Sequence, residues 1–207
     1  VVRAGALPRR RLLSGCCGGG DGEVATARER ELIVLKRNIA MAVSRAQYND
    51  ALELSQDLMD GVGKVYGEDT MVYAAATNDA ALAHKLKGDY DEAIALGTKA
   101  IHLMADLTGK ETEQYAGALA NYGLAAREKA LTLSGMERME MLDVAETALT
   151  DALELRRKLL GEEHPNTILS VNQVAVLTAR RGGRISQRTR RADAPANDSA
   201  DPAHAAR

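Results

Sequence analysis

The chain has 207 residues, 45% of them hydrophobic, with neither Trp nor Phe and a net charge of −2. No apolar run reaches the roughly 18 residues that mark a membrane-crossing helix, and Val and Ile never alternate with polar residues over a strand's length, which excludes a β-rich core. The near-neutral charge hides an asymmetry: residues 1–20 carry four Arg and no acid, residues 180–191 carry six Arg and no acid, and residues 21–179 hold 16 basic against 26 acidic side chains. An acidic body lacks the basic surface that displaces counterions from phosphate, so broad nucleic-acid binding is excluded except through the Arg-rich ends.

Residues 1–26 form a basic, Gly-rich segment. Arg3, Arg9, Arg10 and Arg11 among Ala, Leu and Ser fit an organelle transit peptide, mitochondrial in the first place, with plastid or cytoplasm as the alternatives. A tail without a destination has the same composition, and Pro8 shortens any amphipathic helix. Cys16 and Cys17 are the only cysteines. Adjacent cysteines do not close a low-strain disulfide, and no second pair completes a tetrahedral metal site.

From 27 to 181 the sequence reads as helices at a nearly fixed interval. In the first hairpin, 27–67, a helix to about Arg45 carries Leu32, Leu35, Ile39 and Ala42 on one stripe; its partner starts near Asn49 or Asp50 and stops at Gly67. In the second, 68–109, Asp69 or Thr70 opens a helix to Leu86, Gly88 turns the chain, and Tyr90 to Leu107 returns, with Ala93 and Ala100 small enough for close helix approach. The third, 110–164, starts near Glu111, turns at Ser134 and Gly135, and continues to Leu160. A last helix runs from Pro165, suited to a helix start, to Arg181. The tail 182–207, poor in large apolar residues, is predicted to be disordered.

Repetition ties these elements together. Tyr48, Ala51 and Gly67 recur 42 residues on as Tyr90, Ala93 and Gly109, and Ala93 and Gly109 recur after a further 52 as Ala145 and Gly161. A fixed period of helical hairpins indicates a solenoid. Leu155 to Asn166 reads LRRKLLGEEHPN, Asn172 to Ala175 reads NQVA, Gly88 to Ala93 reads GDYDEA and Ala46 to Ala51 reads AQYNDA. These segments resemble tetratricopeptide repeats of the kinesin-light-chain type. The resemblance covers about residues 27 to 181 and implies an all-α, right-handed superhelical solenoid of three antiparallel hairpins plus a capping helix. It departs from the family pattern at Ile39 and Arg184, as terminal capping units do.

That fold places the first helix of each hairpin on the concave side. Counting back from the hairpin turns, one column holds Lys36, Asn78, Asn121 and Asn172, and the next holds Arg37, Asp79, Tyr122 and Gln173. Side-chain amides offer donor and acceptor together, so a ladder of them can grip an extended peptide backbone without reading its sequence; capping, solvation or inheritance of the repeat consensus explains the same asparagines. Lys36, Arg37 and Lys85 are candidates for an acidic side chain or terminal carboxylate.

Chemistry finds little support. His84, His102, His164 and His204 fall on separate elements, no HExxH or Cys/His ligand set occurs, and Gly61-Val62-Gly63-Lys64 lacks the spacing and preceding strand of a phosphate loop. No catalytic residue, metal or cofactor is predicted. Met136, Met139 and Met141 form either ordinary packing or an adaptable second contact surface. The expected role is a non-enzymatic adaptor or assembly factor with a protein or peptide in its groove; the alternative is an accessory subunit embedded in a large respiratory or ribosomal complex.

Overall fold

The computed structural model describes residues 26–192 and side chains as far as 179; the transit-peptide candidate, both cysteines and the end of the tail lie outside the described residues. Seven helices follow one another: α1 (Ala27–Ser44), α2 (Tyr48–Tyr66), α3 (Met71–Lys87), α4 (Tyr90–Thr108), α5 (Glu113–Thr132), α6 (Gly135–Leu160) and α7 (Pro165–Ala192). Among the described residues there is no strand.

The start of each first helix is fixed by one repeated device. Thr26, Thr70 and Thr112 each accept a backbone N–H three residues on through the side-chain hydroxyl, from Glu29, Tyr73 and Tyr115. At Thr26 the Glu29 carboxylate also takes the Thr26 N–H, closing a capping box. His164 replaces threonine before α7, where its Nδ1 accepts the Asn166 N–H at 3.2 Å. The second helices end as regularly, at Gly67, Gly109 and Gly161, with φ between 81° and 86°. Non-glycine residues adopt that backbone only at a cost, which is why glycine recurs there at the repeat period.

Each helix packs on the next, and the first helices also pack on one another, α3 on α5 and α5 on α7, more closely than the second helices do. The array therefore bends toward the side of the first helices. It is a solenoid of antiparallel hairpins. One buried cluster centres on Leu32, Ile39, Leu58, Val62 and Tyr73 at the start of the array. A larger one, built on Met104, Tyr115, Leu142, Leu149, Leu177 and many alanines, runs through the later hairpins.

α7 extends to Ala192, past the predicted stop at Arg181. No proline interrupts 182–192, Arg is a good helix former, and a helix already nucleated over 165–181 tolerates the Gly182-Gly183 pair at about 1 kcal/mol per glycine. The predicted boundary placed too much weight on those glycines.

Candidate functional site

Counting from the N-caps Thr70 and Thr112, which lie 42 residues apart, gives the register of the concave face directly. Asn121 occupies the place of Asp79, and Tyr122 the place of Ala80; Asn78 corresponds to the buried Ala120. The columns predicted from the hairpin turns are thus shifted by one residue in α5. α5 has 20 residues and α3 has 17, so counting back from the turns of unequal helices displaces one against the other.

Despite the shift, two of the asparagines meet. Asn121 Nδ2 donates to Asn78 Oδ1 at 3.2 Å, joining α5 to α3, and both side chains are half-buried. Tyr122 is turned away from them: its Cβ and ring lie about 3.5 Å from where a Cβ would stand on Gly97 of α4, so it fills the joint between the second and third hairpins. Asn172 is exposed, and Gln173 is half-buried with its Oε1 lacking a hydrogen bond.

Charged groups bracket the asparagine pair. On one side Lys36 Nζ approaches Asp79 Oδ2 at 3.9 Å, while Arg37 is exposed. Burial pushes the Asp79 carboxyl above its ordinary value, with the Lys36 ammonium opposing. On the other side Lys85 and Arg127 occupy equivalent places, each fifteen residues beyond its N-cap. Burial, and then the neighbouring Arg127, hold the Lys85 ammonium below its ordinary value; Glu128 partly compensates. Glu128 is already engaged by Arg127, whose Nε donates to it at 3.1 Å. The arrangement presents two half-buried cations, Lys85 and Arg127, with one carboxylate, Glu128, paired to Arg127.

Arg127 and Glu128 were not singled out from the sequence. Their signal was available: Arg127 follows Lys85 by 42 residues, the period that relates the hairpins. The methionines separate by environment. Met136 and Met139 are exposed, while Met141 packs against the larger core cluster.

Elsewhere little competes with this face. A hollow of about 280 Å³ between α1 and α2 is lined by Glu31, Asp57 and Asp60 against Arg28 and Lys64, over the gap left by Gly61; its mixed charges do not converge on one ligand chemistry. Among the described residues no group of His, Cys, Asp or Glu has the geometry to hold a metal, and no helix is long and apolar enough to cross a membrane.

A family model described as tetratricopeptide repeat matches residues 142–166, most of α6 with the turn into α7. The crystal structure of BtubC (BKLC) from P. vanneervenii superposes with a TM-score of 0.54 at 16% identity, covering 76% of this chain and 68% of that one. Residues 142–166 thus match a tetratricopeptide repeat. No curated protein matches it in sequence. The likeness to BtubC establishes the shared helical-repeat fold, and the repeat marks the chain in general terms as a protein-interaction module. Tetratricopeptide repeats are typically non-enzymatic.

Proposed function

We propose that the chain is a non-enzymatic adaptor or assembly factor that holds an extended segment of a partner protein across α3 and α5. The observation that carries this reading is the Asn78–Asn121 pair on the concave face. One N–H and one carbonyl oxygen are spent on the mutual bond, leaving the Asn78 amino group and the Asn121 carbonyl for a peptide backbone, one donor and one acceptor. Lys85 and Arg127 give the groove a polarity. A cation held below its ordinary pKa by burial is stabilised when an anion arrives, so an acidic side chain or terminal carboxylate of the partner belongs at that end.

Panning a phage-displayed peptide library on the full chain tests the proposal. Selected peptides are expected to lose about tenfold or more in affinity with Asn78→Ala/Asn121→Ala and to keep it with Thr147→Ala, an exposed position on α6 in the outer layer. Both asparagines are half-exposed, so the thermal midpoint serves as the control for folding. Peptides indifferent to the double substitution remove the groove from the account.

A second reading, an accessory subunit of a large organellar assembly, draws on the apolar side chains exposed at both ends of the array, Ile33 and Val34 on α1 and Ile168 and Leu169 on α7. Co-migration of the native protein with a large complex at every salt concentration favours the subunit over the adaptor. The proposed mitochondrial location rests on the composition of residues 1–20; import of a fluorescent protein carrying those residues tests it.

A further inference from the structure

Arg156 stands on α6 where the two earlier second helices carry Met104 and Val62, fifty-two and a further forty-two residues back. All three side chains are buried, Arg156 to all but 8% of its surface. The joint between the third hairpin and α7 is therefore built around a cation where the earlier joints are built around a hydrocarbon. Its neighbours change with it: Thr167 and Ser170 of α7 replace Tyr115 and Ala118 of α5 and Tyr73 and Ala76 of α3, all of them buried.

A guanidinium taken out of water needs its charge matched and its five N–H groups accepted. Here one nitrogen is satisfied: Nη1 donates to Ser170 Oγ at 2.7 Å and to the Asn166 carbonyl at 3.3 Å. Nε is sealed from water and donates to nothing. Nη2 also has no acceptor in the chain, but it is not one of the sealed atoms. Arg156 makes no ion pair among the described residues. Glu113 of α5 is the charged group that acts on it, and the Glu113 carboxylate is held by the Asn166 amide at 2.8 Å. Burial accordingly holds the guanidinium below its ordinary value, with Glu113 opposing.

Gly117 decides where the free nitrogen looks. The nearest atom of another helix to a Cβ built at Gly117 is Arg156 Nη2, at 3.8 Å; α3 has Ala75 in the equivalent place. Gly117 lies one turn before Asn121 on the same face of α5. Nη2 thus sits below a gap in the floor of the concave groove, beside the asparagine pair and on the side of α7. A segment crossing from α3 over α5 meets this gap next.

We infer that Arg156, reached through the gap at Gly117, is a second anion subsite of the groove and takes a carboxylate side chain of the partner segment beyond the asparagine pair. The inference rests on the groove reading above and adds to it a second acidic requirement, separate from the one at Lys85 and Arg127. The carboxylate accepts from Nη2 in a charge-assisted hydrogen bond, stronger than a neutral one and stronger again where water is scarce.

Titration of the full chain with N-acetylglutamate α-amide, which carries one carboxylate, tests this at constant ionic strength, the Gly117 amide and the Arg156 Nε–H being followed by NMR. Both signals are expected to shift and saturate with dissociation on the order of millimolar. The neutral isostere, N-acetylglutamine α-amide, moves neither. Arg156→Met installs the side chain that α4 uses in this place. The thermal midpoint holds or rises, because a hydrocarbon of similar volume replaces a buried charge at little cost, while the Gly117 response weakens about tenfold or more. Gly117→Ala fits without displacing Arg156 and gains helix propensity, so it raises the midpoint and weakens the response; it decides the matter if Arg156→Met fails to fold. A response that neither substitution alters, one shared by the glutamine probe, or none up to about 100 mM overturns the inference. Asn78→Ala/Asn121→Ala leaves this response in place, so the groove reading and the subsite fail separately.

Discussion

In the hairpin of α5 and α6 the helices meet along Ala116, Gly123, Ala126, Ala145, Leu149 and Ala152, and a Cβ on Gly123 would come within 2.8 Å of Leu149 Cγ and 3.2 Å of the Ala145 carbonyl oxygen. In the hairpin of α1 and α2 the corresponding contact is made by Leu32, Ile39, Leu58 and Val62, and a Cβ on Gly61 would touch the far end of Leu32 at 2.7 Å and nothing else nearby. The first joint rests on backbone close to backbone. The second rests on long side chains that can turn. Two copies of one hairpin plan thus differ in how much error each absorbs, because a rotamer gives way at small cost whereas a carbonyl fixed in a helix does not.

The largest effect expected from this contrast is that of Gly123→Ala. Overpacking costs about 1–3 kcal/mol and the gain in helix propensity returns about 1, so denaturant unfolding should show a net loss of up to about 2 kcal/mol; an unchanged midpoint would mean that the third hairpin has slack of its own. Next come the two turns within hairpins. Gln47 N–H donates to the Ala42 carbonyl at 2.9 Å and Asp89 N–H to the His84 carbonyl at 3.0 Å, the same helix-ending motif, but Ala46 holds φ of 57° where its counterpart Gly88 holds 99°. Ala46→Gly is expected to stabilise by about 1 kcal/mol and Gly88→Ala to destabilise by a similar amount. Opposite shifts in the thermal midpoint check the pair.

A smaller effect belongs to the joint between the first hairpin and the second. The Asp79 carboxyl has a folded-state pKa raised by burial against the opposing Lys36, so the folded protein holds that proton more tightly than the unfolded chain. Its contribution favours the fold in acid and is lost as pH rises from the ordinary carboxylate value of 3.8 through the raised folded value. Asp79→Asn should remove that slope from a stability profile measured across the acid range. An unaltered slope would mean that other carboxyls dominate it. The smallest effect is Gly61→Ala, where Leu32 can swing aside and helix propensity gains about 1 kcal/mol: stability within about 0.5 kcal/mol of the parent, or above it, separates this joint from the one at Gly123.

Most helix ends were legible because they are written in local chemistry. Gly67, Gly109 and Gly161 sit where the period says they should, Pro165 opens α7, and Ser134 and Gly135 lie at the turn they signal. The register of the concave columns was less accessible, since the N-cap threonines that fix it are ordinary residues until their hydroxyls are seen to accept the Tyr73 and Tyr115 N–H groups. Asn78 and Asn121 were identified as neighbours for the wrong geometric reason: they meet diagonally, not along a column. Lys85 was visible as a cation but not as a desolvated one, because its environment depends on Arg127 and Glu128 arriving from another hairpin. The length of α7 escaped the sequence reading because glycines that punctuate elsewhere in this chain do not interrupt it.

The main contacts of every helix are with those one or two places along the chain, so among the described residues no bond ties the start of the array to its finish. Tension applied across the molecule would peel it from its extremities in discrete steps, hairpin by hairpin, instead of rupturing it at once. Amide exchange would follow the same gradient, slowest where α5 meets α6 and faster toward either extremity, which makes the middle of this protein its anchor and the ends its adjustable parts.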